Sequence, residues 1–256
     1  MSFRNSYRNI FGLAALMALL PTTVHAKVEP ISPNIKNYVA YTLKDFSANM
    51  HLVSYNAAAG RQINKDFGTI YDWMRKSHGD LLLRFRVPDM MRIDGRFGAS
   101  TGTYIVNEVH QDIKLGIGLH FTTNLANAPG KRKTLLDAGL ISADYLTYTE
   151  AKFMGARPYD GHMCAVFDVS YKDKSEDTSH RLIWINPETK VTEKREEYSQ
   201  DGKLRSIWYY RDTKEIEPGV WMPTLIEIDD NTGQLAGETE YKNMKVNIPM
   251  PLSLFK

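Results

Sequence analysis

From Asp80 onward the chain alternates. In DLLLRFRVPDMMRID, residues 80–94, Leu81, Leu83, Phe85 and Val87 fall on one side of an extended backbone and Arg84 and Arg86 on the other. That period of two is the pattern of a half-buried strand. Pro88 breaks it, which suits an edge or a bulge rather than a central strand. Further strands are expected over 103–109, 113–122, 163–171, 221–229 and 235–246, with three more between 179 and 212. Asp94-Gly95, Asp201-Gly202 and Asn231-Thr232-Gly233 are the hairpin signals between them. A twisted antiparallel sheet of roughly eight to eleven strands curls or splits rather than growing flat. The expected class is mainly β with some α: a curved antiparallel sheet or incomplete barrel.

Two stretches depart from this period. Ile35, Tyr38, Val39, Thr42, Leu43 and Phe46 recur at three-and-four spacing, predicting an N-terminal helix capped by Ser32 with Pro33 in its first turn. Residues 50–60 read as a short strand entering a loop, followed by a weaker helical pattern of Ile63, Phe67, Ile70, Tyr71 and Met74, which Gly68 interrupts. In the middle, Leu135, Leu136, Leu140, Ile141, Tyr145 and Leu146 predict one or two short helices inserted between strands. No repeat or low-complexity linker divides the chain, so residues 27–256 are expected to form one domain.

The first 26 residues read as a secretory signal peptide. Arg4 and Arg8 precede an apolar run over residues 10–20, Pro21 breaks it, and the segment ends Val24-His25-Ala26. The run is shorter than the ~20 residues that span a bilayer. Cleavage after Ala26 leaves Lys27 first, offering no cysteine for a lipid anchor. It also leaves 30 basic against 30 acidic residues, without the surplus that nucleic acid binding demands. A single cysteine, Cys164, excludes an internal disulfide framework. A soluble periplasmic protein, monomeric and without cofactor, is the expectation.

Residues 179–212 pose a puzzle. Two compact turns, Asn186-Pro187-Glu188-Thr189 and Gln200-Asp201-Gly202, separate three β-runs. The middle run carries Glu193, Lys194, Arg195, Glu196 and Glu197 between neighbours bearing Trp184, Trp208, Tyr209 and Tyr210. Neither face of the middle run reads as dry, which predicts a strand near an edge or one projecting past the helices. An ordinary solvated hairpin with charge-paired sides reads equally well.

LLLRFRVPDMMRIDG, RLIWINPETKVTEKREEYSQDGKL and GVWMPTLIEIDDNTGQLAGETEYKNMKVN together resemble the LolA/LolB-like lipoprotein-sorting superfamily, as a pattern of strands and turns from about Leu81 to Asn247. The resemblance implies an incomplete barrel with an apolar concave side and helices acting as a lid. It further implies a carrier that takes a lipid or a lipoprotein acyl chain towards the outer membrane, meeting an inner- or outer-membrane protein partner. An acyl chain in water costs about 0.8 kcal/mol per CH₂, so such a carrier must wrap it in apolar surface. The cavity candidates are Leu81, Leu83, Phe85, Met91, Ile117, Leu119, Phe121, Ile183, Trp184, Trp208, Tyr210, Trp221 and Ile226, each of which could equally be closed core. The lid candidates are the apolar residues between Leu135 and Leu146. Lys131, Arg132 and Lys133 could meet anionic headgroups or an acidic partner, or remain solvated. In the carrier branch an arginine before the strand-ending proline latches the lid. Here that position is Val87, and Arg84 and Arg86 point the other way.

The sequence carries no G-x-S-x-G elbow and no H-E-x-x-H. His110 and His120 lack a third ligand at metal spacing. Ser179 and His180 are strand neighbours and face opposite ways. Cys164 reads as a buried small hydrophobe, or as a thiol beside His162 or His180. The chain is therefore read as a carrier, not an enzyme. Two other readings stay open: a non-transporting envelope module that binds a protein partner, and a secreted hydrolase using His110, His120 or His180.

Overall fold

The computed structural model describes residues 31–64, 71–72, 74–75, 81–97, 100–107, 109–175 and 177–256. Residues 1–26, read above as a signal peptide, lie outside the described residues, together with Phe67, Gly68 and Ile70. After a 3-10 turn at Ile35–Tyr38 come β1 (Asp45–Tyr55) and helix α1 (Ala57–Ile63). Five strands follow: β2 (Leu81–Arg86), β3 (Met90–Phe97), β4 (Ser100–Val106), β5 (His110–Leu115) and β6 (Leu119–Asn124). An inserted segment holds a 3-10 turn at Leu135–Ala138 and the short helix α2 (Tyr145–Tyr148). Then come β7 (Thr149–Tyr159), β8 (His162–Tyr171), β9 (His180–Ile185), β10 (Thr192–Tyr198) and β11 (Leu204–Arg211). The chain closes with β12 (Lys214–Glu217), β13 (Val220–Met222), β14 (Leu225–Asp230) and β15 (Leu235–Val246).

Thirteen strands form one curved, open antiparallel sheet in the order β6-β5-β4-β3-β2-β1-β15-β14-β11-β10-β9-β8-β7, while β12 and β13 pair separately. Two differences from the sequence reading widen the sheet, and a third changes its start. The run over 113–122 is a hairpin, folded back at Gly118 with φ of 83°. Thr149–Tyr159, read within the insertion, is a strand paired along its length with β8. The N-terminal apolar pattern yields only the 3-10 turn, capped by Asn34 rather than Ser32, and Phe46 already belongs to β1. Asp94-Gly95 is not a turn. Both residues lie inside β3, opposite Thr103 and Gly102. Val87, Pro88 and Asp89 instead make the turn between β2 and β3.

Registers fix which side chains share a face. Phe46, Ala48 and Met50 of β1 lie opposite Phe85, Leu83 and Leu81 of β2, and these lie beside Met91 and Ile93 of β3. All eight are buried on one face. The charged run is not an edge strand: β10 sits three strands in from β7, and its Arg195 is 2% exposed. A register shift between Thr192 and Lys194 lets Thr192 and Arg195 face inward while Lys194 caps the Trp184 ring on the other face, Nζ 4.5 Å from its centroid.

The inserted segment lies on the inner face as packed core. Leu135, Leu136, Leu140, Ile141 and Tyr145 are no more than 2% exposed, while Leu146 is half-buried. Thr134 and Asp137 form a reciprocal capping box for the turn, and Gly139 ends it at φ 83°. The Gly139 carbonyl accepts from Thr192 N at 2.7 Å, and a Cβ there would stand 2.8 Å from the Tyr210 ring. Gly139→Ala is therefore expected to cost about 2–3 kcal/mol, from the left-handed backbone and the crowding together. Chemical denaturation checks this; a change below about 0.5 kcal/mol would mean that the segment floats free of the sheet.

This segment meets the turn after β2 where the Tyr148 hydroxyl donates to Asp89 Oδ2 at 2.5 Å, while Arg84 pairs with Asp94 and Arg86 donates to the Met250 carbonyl and pins the C-terminal tail. Among the described residues no helix is long and apolar enough to cross a membrane.

Candidate functional site

A cavity of about 680 Å³ opens on the inner face. That lies within the usual range for small-molecule sites. One wall is apolar: Met50 from β1, Met91 and Ile93 from β3, Tyr104 from β4, Ile226 and Ile228 from β14, and Tyr241 from β15, with Tyr71 and Met74 from a short helical stretch. Burial drives the Tyr71 hydroxyl up to about 12 and that of Tyr241 higher still, so both phenols stay neutral at any working pH. The methionines add adaptable contact, which suits a ligand of variable shape.

The opposite end is charged. Lys131, Lys133 and Asp137 come from the inserted segment, and Arg181, Glu197 and Arg205 from β9, β10 and β11. Behind them runs an ionic network. Arg195 Nη1 and Nη2 reach Asp137 Oδ1 at 3.4 and 3.3 Å, and its Nε lies 3.2 Å from Glu197 Oε1. Arg181 Nε donates to the same Glu197 oxygen at 3.2 Å, and its Nη2 to the Tyr171 hydroxyl at 3.0 Å. The Arg195 guanidinium lies 4.1 Å from the centroid of the Trp208 ring, which lines the cavity. Burial alone would raise the Glu197 carboxyl, but Arg181 and Arg195 outweigh it and hold it below the ordinary range. Lys133 and Arg195 do the same for Asp137 against the same burial. The cavity thus joins an apolar wall to an end of mixed charge, where Asp177 and Asp201 also stand, a shape for an amphiphile with a polar headgroup.

Of the residues expected to line it, Met91, Trp208 and Ile226 do so. Leu81, Leu83, Phe85 and Tyr210 are closed core on the same face. Ile183 belongs to a second cluster under the inserted segment, and Trp221 is half-buried on the small β12–β13 ribbon. Trp184 faces the other side with Cys164 and Val166. Ile117, Leu119 and Phe121 are exposed at the β5–β6 edge. Ile93 could have been found from Met91 by the period of two; Tyr104, Arg181 and Tyr241 carry no such signal.

Of the candidate catalytic groups Ser179 lines this cavity, while the histidines and Cys164 do not. His120 Nε2 sits 3.0 Å from Asp112 Oδ1 on the exposed hairpin, where His110 also lies. His180 stacks on Tyr198 and bonds Asp168. Cys164 is buried beside Glu193, and burial together with that carboxylate drives its thiol far above the ordinary range, away from a nucleophilic thiolate.

A family model described only as "Uncharacterized protein" matches residues 139–256. No curated protein matches the chain. Three solved structures superpose over 87% of it. A DUF1329 family protein from Desulfovibrio piger gives a TM-score of 0.53 at 12% identity over 92% of its own length. A domain from Vibrio parahaemolyticus, described as that of an outer membrane lipoprotein-sorting protein, gives 0.54 at 10% identity over 93%. A LolA superfamily protein from Nitrosomonas europaea gives 0.54 at 14% identity over 94%. At these identities the likeness is one of fold: this chain has the fold of the lipoprotein-sorting domain and of the LolA superfamily protein.

Proposed function

We propose that residues 27–256 form one exported, monomeric periplasmic domain that carries an acyl-bearing lipid or lipoprotein. The apolar part of the ligand would lie against the Met91, Ile93, Ile226 and Ile228 wall, with its headgroup at Lys131, Lys133 and Arg205. The observation behind this reading is a cavity of ligand size with one apolar wall and one charged end, where Lys131, Lys133 and Arg205 stand among Asp137, Asp177, Glu197 and Asp201. The Lys131 and Lys133 pair would make the domain favour anionic headgroups, at about 1 kcal/mol per lysine facing a phosphate. Release to a membrane protein partner completes the reading, with no chemical step and no cofactor.

Native mass spectrometry of protein purified from a Gram-negative periplasm tests it. A bound species of lipid mass that solvent extraction removes is the expected result. Lys131→Gln with Lys133→Gln should weaken uptake of an anionic phospholipid about 30-fold while leaving a neutral one unchanged. A clean apo mass with no uptake of added lipid would turn attention to a second reading, the protein-binding module. The exposed edge strand β6, with Leu119 and Phe121 outward, favours that alternative as a site for strand addition.

A further inference from the structure

On the face opposite the cavity, three side chains of different donor type converge. His162 and Cys164 stand two apart on β8 and so project from the same side. Glu193 joins them from β10, across the intervening strand β9. Regular alternation would not bring it there with Lys194, since neighbours on a strand face opposite ways. The bulge that shifts the register between Thr192 and Lys194 makes both project outward. The Nε2 of His162 then lies 2.5 Å from Glu193 Oε2, and the Cys164 thiol donates to that oxygen at 3.4 Å. All three ligand atoms fall within 4.8 Å of one another. Asn186 holds the arrangement from the β9–β10 turn, its Nδ2 donating to Glu193 Oε1 at 2.9 Å and standing 3.2 Å from His162 Nε2.

We infer that His162, Cys164 and Glu193 bind one divalent cation of the zinc class, with Asn186 as the positioning residue for the carboxylate. One thiolate, one imidazole and one carboxylate are ligands that zinc takes in tetrahedral sites. Zinc bond lengths of about 2.0–2.3 Å place tetrahedral donors on the order of 3.5 Å apart, so the His162–Glu193 contact has to open while the Cys164–Glu193 spacing already fits. Calcium and magnesium prefer oxygen shells and do not suit a sulfur–nitrogen pair. On binding, the Cys164 thiol loses its proton to solvent and the sulfur takes the metal in its place. The His162 side chain is 39% exposed, so the fourth position faces water. The cation would clip β8 to β10 directly behind the buried Arg195.

Cobalt(II) is the probe, titrated into the untagged full chain freed of metal by chelator. The expected result is one equivalent bound, with a thiolate-to-cobalt charge-transfer band and the intense visible bands of a tetrahedral ion, all removed by added zinc. Cys164→Ser should abolish the charge-transfer band. Asn186→Ala should keep the band but weaken binding by 10–100-fold, the usual loss for a group that orients a ligand. His162→Ala serves as a second ligand variant, and thermal melts establish that each variant is folded. Absence of the band in the wild-type chain would overturn the assignment. So would cobalt uptake unchanged by both Cys164→Ser and His162→Ala, which would place the metal on exposed groups such as His110 and His120.

Discussion

Arg195→Met is expected to lower folding stability by about 3–4 kcal/mol, among the largest effects of any single substitution in this chain. Arg195 is 2% exposed and is in ion-pair contact with Asp137 and Glu197 while stacking on Trp208. Removing one partner from a buried network strands the others, which typically costs about 3–5 kcal/mol. The figure sits toward the lower end because the Asp137 and Glu197 side chains keep roughly a quarter of their surface in water and Glu197 retains Arg181. For a domain of this size the melting temperature should fall on the order of 10 °C. Adding Asp137→Asn should recover part of the loss, since it removes the stranded charge and keeps the acceptor that caps Thr134. The pH dependence has a definite sign. Asp137 and Glu197 are held below their ordinary values, so the stability they contribute is present above about pH 4 and drains as pH falls through their folded values. The variant should lose stability less steeply in acid than the wild type. A urea midpoint within error of wild type would mean the network is solvated and the strand is the ordinary charged hairpin.

The charged strand also marks where sequence reading stops. Where one face is dry and the other wet, the pattern is legible: the inner residues of β2 and β14 alternate as LLLRFR and LIEIDD suggest, and the span of β15 is that of its sequence run. The turns at residues 186–189 and at Gly202 also lie where their residues place them. By contrast, the reason Arg195 can point inward is Asp137, 58 residues earlier on an inserted loop. Local pattern cannot report such a partner, so a dry, ion-filled face looked wet. Likewise Tyr38, Val39, Leu43 and Phe46 are all buried, as their spacing implies, but by different neighbours. The first two pack against the inserted segment and Phe46 opens β1, so a helical period arose without a helix. The Cys164 cluster depends on a bulge, and a residue count alone does not reveal one.

Ile93→Trp is expected to abolish most ligand uptake while leaving the sheet folded. Ile93 lines the apolar wall, though it is itself buried, so an indole there fills part of the cavity at some cost in packing. Excluding on the order of three methylenes of an acyl chain, at about 0.8 kcal/mol each, weakens binding roughly 50-fold. Ile228→Trp, on β14 of the same sheet, should act in the same direction. Leu83→Gln provides the contrast, because Leu83 is buried beneath the cavity without lining it. An unpartnered amide there costs about 1–3 kcal/mol of stability, with affinity retained in the folded fraction. Displacement of a fluorescent fatty acid, read beside a thermal melt for each variant, separates the two effects. If both tryptophan variants bound the reporter as the wild type does, the acyl chain would not lie along this wall. If Leu83→Gln lost affinity while keeping its melting temperature, the cavity would reach deeper than its lining indicates. Only a loss confined to the lining positions ties the apolar wall, and not the integrity of the sheet, to ligand binding.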